Sequence, residues 1–311
     1  MKLSIVSTLY HSSASIDEFY HRATASAVEF AGEDYEIILV NDGSPDDSLS
    51  KVLRHCEDDK HLVVIDLSRN FGHHKAIMTG LEHAVGDYVF LIDSDLEEDP
   101  EWLELFWQKM QSDQVDAVYG VQEKRKGGWF ERLSGWLFYN MFNTFTGVHM
   151  PKNWVTARLM TRRYTEGLLL HHERELSIGG LYLLTGFDQR AVSVKKHSIS
   201  DSTYTIRKKI DVLVNAVTSL SSRPLVAIFY IGLLIFSLST LYSLYMIINW
   251  VFLAEPPSGW TSVIVSIWLL GGLTISFIGI IGIYLSKIFL ETKQRPFTII
   301  KQTYGRVKHD Q

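Results

Sequence analysis

Several features that would point to other kinds of protein are missing from this chain. Cys56 is the single cysteine in 311 residues; a lone thiol forms no intrachain disulfide and no thiolate zinc site, which suits a domain kept in a reducing compartment. Basic charge is not in excess, since 30 Lys and Arg stand against 35 Asp and Glu for a net charge of −5. That balance disfavours a dedicated nucleic-acid binder, so any basic function must be local. Neither G-x-x-x-x-G-K-[S/T] nor G-x-G-x-x-G occurs, which weakens a P-loop ATPase and a dinucleotide oxidoreductase alike. The first ten residues run into the polar HSSASIDEF, so no secretory signal is expected and the first ~200 residues are expected to stay in the cytosol.

Charge is scarcest toward the C-terminal end. From Leu225 to Ser286, Glu255 is the one charged side chain in 62 residues. A membrane-spanning helix needs ~20 apolar residues, and two such runs fit, at about 225–253 and 260–285. Between them Pro256, Pro257 and Gly259 forbid one continuous helix, so a helical hairpin is predicted. Arg207, Lys208, Lys209 and Arg223 precede it, Lys287, Lys293, Arg295 and Lys301 follow it, and the connection carries no Lys or Arg. By the positive-inside rule both ends are expected to be cytoplasmic.

The preceding portion alternates short apolar runs with helix-like stretches. LSIVSTLY, YEIILVNDGS, HLVVIDLS and DYVFLIDSDL read as strands. Ser15 to Phe30, capped near Ser15, reads as a helix, as do DDSLSKVLRHCE, HHKAIMTGLEHAVG and PEWLELFWQKMQ, the last with Pro100 in its first turn. Such alternation predicts βαβ units and an α/β fold, a mostly parallel sheet with helices on both faces. Ligands of such sheets bind at the carboxyl ends of the strands.

Three loops expected at that edge carry clustered polar residues: Asn41 to Asp47, Ser68 to Gly72, and Asp93 to Asp99. Two carboxylates at i and i+2, where a strand breaks into a loop, can address one hard divalent cation that shares its other positions with water and substrate phosphates. Asp93 and Asp95 have that spacing, although a D-x-D alone is a weak signal and acidic turns are commonly only solvated.

Taken in order, IILVNDGSPDDS, LSRNFGHHKAIMTGLEHAVGDYVFLIDSDLEEDPE, RLMTRR, HHERELSIGGLYLLTGF, STYTIRKKI and the apolar hairpin resemble glycosyltransferase family 2. More narrowly they resemble its polyprenyl-phosphate glycosyltransferases, relatives of dolichyl-phosphate mannose synthase and of bacterial undecaprenyl-phosphate sugar transferases. The resemblance covers almost the whole chain. It implies a GT-A, Rossmann-like catalytic domain over residues 1–200, a juxtamembrane interfacial helix over 201–223, the transmembrane hairpin over 224–286 and a cytoplasmic tail over 287–311. The implied activity is an inverting transfer of one sugar from a nucleotide-sugar donor to a polyprenyl phosphate at the cytoplasmic membrane face, with Mg²⁺ or Mn²⁺. The implied partners are donor, acceptor and bilayer, with a homo-oligomer as a further option.

What the resemblance implies for single residues follows position by position. Asp42 matches the acidic residue that holds base or ribose, and Tyr10 and Asn70 fall in the donor-binding loops. Asp93 and Asp95 match the metal-binding D-x-D. Glu97 stands where relatives usually have Gln, as a further oxygen ligand. Arg158 resembles the phosphate-contacting arginine, a role suited to a planar guanidinium; Arg162 and Arg163 are nearby alternatives. Ser202, Tyr204, Arg207 and Lys208 fall in the segment expected close to the lipid phosphate.

The first loop departs from the family. Ser7-Thr8-Leu9-Tyr10-His11-Ser12 lacks the proline, asparagine and glutamate of V-P-x-Y-N-E, which puts donor contacts there in doubt. His73 and His74, adjacent on a helix, read as pocket or solvent polar groups in preference to metal ligands. Two other readings stay open: a membrane-tethered nucleotide-sugar-binding scaffold without turnover, and a processive polysaccharide synthase, which would require a Q-x-x-R-W element and further spans.

Overall fold

A computed structural model describes residues 2–122, 140, 143–144, 151, 153–171, 173, 178–197, 214, 217–218, 221–253 and 259–305. By internal contacts the chain divides into two compact units, one of Met1–Tyr139, His149–Thr205 and Arg295–Gln311, the other of Asn140–Val148 and Ile206–Gln294.

The first unit is an eight-stranded sheet among the described residues, with strand order β7 (Gln189–Val194), β5 (Ala117–Gln122), β6 (Trp154–Thr161), β4 (Tyr88–Leu91), β1 (Leu3–Leu9), β2 (Tyr35–Asn41), β3 (Leu62–Leu67), β8 (Ile300–Tyr304). Its centre is β1 (Leu3–Leu9), β2 (Tyr35–Asn41), β3 (Leu62–Leu67) and β4 (Tyr88–Leu91), the four strands expected from sequence. They are parallel, with β1 between β2 and β4. All seven residues of β1 are buried, the pattern of a strand covered on both faces. Helices α1 (Ile16–Ala31), α2 (Ser48–Asp58), α3 (His73–His83) and α4 (Trp102–Asp113) connect and follow these strands. Beyond them lie β5 (Ala117–Gln122), β6 (Trp154–Thr161), α5 (Arg162–Leu169), α6 (Ile178–Leu184) and β7 (Gln189–Val194). β6 runs antiparallel to both β4 and β5, while β7 is parallel to β5.

Each face of the sheet carries its own core. Ile16, Phe19 and Ala23 of α1, Val52 of α2 and Phe106 of α4 pack on Leu3, Ile5, Ile37 and Phe90. On the other face Ala76, Ile77 and Leu81 of α3, Leu168 of α5 and Leu181 of α6 pack on Val6, Ile38, Val89 and Met160. Truncating a fully buried ring such as Phe106 to alanine would cost ~3–5 kcal/mol. Cys56 is free and half-buried, and burial pushes its thiol up, away from the reactive thiolate.

Two local expectations change. Ser15 precedes α1 without capping it, because its hydroxyl donates to the carbonyls of Ser94 at 2.7 Å and Ser12 at 3.3 Å. Pro100 lies in the turn before α4, which begins at Trp102.

The second unit contains α7 (Arg223–Leu253) and α8 (Trp260–Thr292). Their stretches Arg223–Tyr242 and Ser266–Thr292 have mean hydropathies of 2.2 and 2.0, are unburied, and are candidate membrane spans. Phe229, Phe236, Trp268 and Ile275 stand exposed on them, as expected of rings and branched chains that meet lipid. α8 continues past the expected end at Leu285 to Thr292, since Pro296 is the first residue beyond it that breaks a helix.

After the hairpin the chain rejoins the sheet. β8 (Ile300–Tyr304) pairs antiparallel with β3, with Val64 opposite Tyr304. Thr298 and Thr79 join hydroxyls at 2.8 Å, Ser68 N donates to Ile299 O at 2.9 Å, and Lys301 Nζ lies 3.2 Å from Asp66 Oδ2. Nothing in the polar stretch IKQTY announces a strand; the free edge of β3 supplies its pairing.

Candidate active site

The carboxyl ends of β1, β2, β3 and β4 meet at one edge, and serine hydroxyls and carboxylates join their loops. Ser94, between the two aspartates of D-S-D, is buried; its hydroxyl donates to Thr8 O at 2.8 Å and lies 3.0 Å from Ser12 Oγ. Ser12 N donates to Ser48 Oγ at 3.1 Å. The altered first loop is thus a network of small hydroxyls linking β1, α2 and the D-x-D. Tyr10 is half exposed at its tip, edge-on to His11.

Asp42 is buried, and its two oxygens accept hydrogen bonds from Phe71 N at 2.7 Å and Gly72 N at 3.0 Å. Burial raises its carboxyl above the ordinary range, opposed by those two amides. It therefore fastens the loop after β2 to the loop after β3. Gly43 completes that contact: its φ is +60°, and a Cβ there would stand 2.5 Å from Asn70 N, so neither the conformation nor the space admits a side chain. Asn70 is exposed beside it. Asp46 works in the same structural way, accepting from Ser44 Oγ, Ser48 Oγ, Ser48 N and Ser13 N at 2.6, 2.5, 3.1 and 3.0 Å. Against partial burial, these bonds hold its carboxyl well below the usual carboxylate range.

The acidic run after β4 is organised differently. Asp93 Oδ1 lies 3.5 Å from His73 Nε2, whose other nitrogen is 3.1 Å from Thr8 Oγ1. His73, at the start of α3, is therefore a polar group beside Asp93. Asp95 reaches the surface and accepts Glu97 N at 3.0 Å. Displacement of solvent around it, then the neighbouring charge of Asp93, raise its carboxyl. Glu97 Oε2 pairs with Lys196 Nζ at 2.9 Å. Asp99 pairs with Arg22 at 2.7 Å and His197 at 3.0 Å.

Glu98 is the residue in this run that sequence reasoning passed over. It is fully buried; Oε1 accepts Thr156 N at 3.0 Å and Oε2 accepts Ala157 N at 2.8 Å, with Lys196 Nζ at 3.7 Å. Complete burial, then Asp93, push its carboxyl up. Its sequence signal is faint, since DLEEDPE reads as five solvated acids.

Arg158, on β6, is 1% exposed. It stands opposite Leu91 of β4; Asp93 follows two residues on, at the carboxyl end of that strand. The guanidinium carbon is 3.2 Å from the Tyr182 ring centroid and 5.7 Å from those of Tyr119 and Trp154. Among the described residues Nε and Nη1 have no hydrogen-bond partner. A buried guanidinium with free N–H groups suits an anion, because leaving it unpaired is costly. Arg162 and Arg163 are engaged elsewhere, with Glu166 and Ala84 O, and with Asp116. Ser202, Tyr204, Arg207 and Lys208 lie outside the described residues.

No group of three or more His, Cys, Asp and Glu side chains among the described residues is arranged to hold a metal ion. Two carboxylates of hard oxygen character, Asp93 and Asp95, nonetheless match the needs of Mg²⁺ or Mn²⁺, which take remaining ligands from water and phosphate. Glu97, the further oxygen ligand that the resemblance implies, pairs through Oε2 with Lys196.

Known proteins resemble this chain over most of its length. A family model described as Glycosyl transferase family 2 matches residues 4–166. The chain is 50% identical over 305 residues to a protein of Mycobacterium tuberculosis named as a glycosyltransferase, covering 98% of this chain and 89% of that one. It is 31% identical over 306 residues to the SfII prophage-derived bactoprenol glucosyl transferase of Shigella flexneri, covering 98% and 99%. Among solved structures it is similar to glucosyl-3-phosphoglycerate synthase from Mycobacterium tuberculosis, at 17% identity and a TM-score of 0.49 over 70% of this chain and 80% of that one.

Proposed function

The chain belongs to glycosyl transferase family 2, and on that premise we propose that this glycosyltransferase moves one sugar from a nucleotide-sugar donor to a polyprenyl phosphate at the cytoplasmic face of a membrane. The observation that carries the acceptor is the reach of the likeness. A bactoprenol glucosyl transferase aligns over 99% of its own length and 98% of this chain, apolar hairpin included. The return of the chain after the hairpin supports the orientation. β8 completes the sheet that begins before the first span, so both ends of the hairpin belong on the side of the membrane where that sheet lies.

In this reading Asp93 and Asp95 hold Mg²⁺ or Mn²⁺ together with the donor diphosphate, and a bound divalent ion supplies charge neutralisation to the leaving group. Arg158 offers its free N–H groups to phosphate oxygens. Tyr10, Asn70 and the Asp42-fastened loops flank the nucleotide. Ser202, Tyr204, Arg207 and Lys208 address the acceptor phosphate, each basic residue adding about 1 kcal/mol of attraction to anionic lipid.

The acceptor needs little help from a base. A phosphate monoester has a second pKa of about 6, so near neutral pH it already bears the attacking oxyanion. That oxygen bonds to the anomeric carbon as the bond to the nucleoside diphosphate breaks, the electron pair leaving with the diphosphate, and configuration inverts. No covalent glycosyl-enzyme is required, and the paired carboxylates act on metal instead of as acid and nucleophile.

The test is transfer by the full chain in detergent, with a panel of labelled nucleotide sugars, undecaprenyl or dolichyl phosphate, and Mn²⁺, Mg²⁺ or EDTA. A metal-dependent, mild-acid-labile lipid product from one donor is expected. Saturable donor binding with no lipid product from any donor would refute the acceptor assignment.

A further inference from the structure

β5 and β6 pair irregularly where Arg158 stands. Tyr119 faces Arg158 and Val121 faces Trp154, so two steps along β5 correspond to four along β6. β6 therefore carries a bulge of two extra residues over Val155 to Ala157. Bulges bend a strand, release backbone groups from the ladder and re-aim the next side chain. The released groups here are amides, and one buried side chain takes both: Glu98, through Thr156 N and Ala157 N.

The opposing strand is shaped to the same bulge. A Cβ on Gly120 would stand 2.6 Å from Val155 Cγ2 and 3.0 Å from Val194 Cγ2, so any side chain there would press on the bulge from β5. Glu98 sits three residues after Asp95, in the loop that carries both aspartates. One carboxylate thus ties that loop to the strand holding Arg158. Lys196, 3.7 Å from Glu98 and 2.9 Å from Glu97, offsets part of the buried charge.

We infer that Glu98 is a positioning residue, which holds the β6 bulge and so sets where Arg158 stands relative to the paired aspartates. The inference rests on the phosphate-binding reading of Arg158. Glu98 itself touches neither donor nor acceptor; it acts through two backbone amides.

A cycle of four full-length proteins in detergent tests it: wild type, Glu98→Gln, Arg158→Lys and the double variant. Glutamine keeps the size and one acceptor oxygen but turns an NH₂ toward a backbone N–H, so one of the two bonds is lost. A displacement of ~1 Å at a positioned group costs on the order of 10²-fold in rate. Glu98→Gln is therefore expected to lower turnover ~10-fold to 100-fold, yet to cost less than about threefold once Arg158 is already Lys, because residues acting as a unit are not additive. Costs that multiply fully would overturn the inference, as would wild-type turnover in Glu98→Gln.

Calorimetric binding of UDP and GDP with Mn²⁺ to the same four proteins provides a readout that does not involve the acceptor. The same non-additivity is expected there. Wild-type protein that binds a nucleotide but forms no lipid product would defeat the acceptor assignment and leave this cycle to decide Glu98 alone. Should Glu98→Gln fail to fold, Gly120→Ala presses on the bulge from the other strand, and adding Val155→Ala relieves it. Loss in the first and partial recovery in the second are expected; equal loss in both would overturn the proposal.

Discussion

Two acidic loops share the carboxyl edge of the sheet, and their carboxylates live in opposite circumstances. In the loop after β2, Asp42 and Asp46 are taken up by amides and hydroxyls, and the bonds around Asp46 depress its carboxyl. In the loop after β4, Asp93, Asp95 and Glu98 crowd one another, and the carboxyls of Asp95 and Glu98 rise. Charge that the fold has already compensated builds structure. Glu98, taken up by Thr156 N and Ala157 N with Lys196 beside it, builds structure in the same way, whereas the crowded charge of Asp93 and Asp95 is available to a cation or a substrate.

The contrast breaks most sharply under Asp93→Asn and Asp95→Asn. Each is expected to lower sugar transfer by ~10²-fold or more, a loss of the size seen when one electrostatic contact to a transition state is removed. The thermal unfolding midpoint should hold or rise, because like-charge repulsion is relieved. Substantial residual transfer in EDTA by either variant would remove the loop after β4 from the chemistry. Asp42→Ala probes the opposite loop. It orphans the amides of Phe71 and Gly72 and should destabilise by ~1–3 kcal/mol, read as a fall of several degrees in the unfolding midpoint. An unchanged midpoint would show that the two loops are not fastened through this residue.

A finer division comes from acid. A carboxylate depressed in the folded state contributes stability above its unfolded value, about 3.9, and that contribution is lost as pH falls through the folded value. Asp46 is such a group. Asp46→Asn should therefore flatten the decline of the unfolding midpoint below about pH 4, whereas parallel declines in variant and wild type would count against its bonds. The smallest expected effect belongs to Ser44→Ala, which removes one of the four bonds to Asp46 and should cost ~0.5–1.5 kcal/mol. Transfer should stay within about twofold, and a larger loss of transfer than of stability would place this loop in the chemistry after all.

Much of this arrangement was legible in the residues. The four central strands are apolar runs of nearly full burial, such as YEIILVN and LVVIDL, and the hairpin stands out by its missing charge. The loops bearing Asp42, Asp93 and Asp95 could be placed at one edge because parallel strands put their carboxyl ends together. What a side chain does within a loop was less visible. Ser15 resembles a helix cap by position but serves Ser94, and Glu98 looks like any acid of DLEEDPE until its burial is known. Such roles depend on partners distant in the chain, as with Thr156 and Ala157, more than 50 residues away. β8 was hidden for a related reason: strands at an edge need no apolar face of their own, and IKQTY is polar and largely exposed.

That last strand also has a consequence for biogenesis. A chain made from its N-terminus exposes β3 as an open edge until residues 300–304 emerge, and both hydrophobic helices are synthesised in between. Closure of the sheet is thus a contact spanning some 240 residues, among the most non-local the fold makes. The sheet-bearing unit reaches its final form only after the apolar segments have left the ribosome. During that interval the unpaired edge is where a chaperone would bind, or where a stalled chain would begin to aggregate.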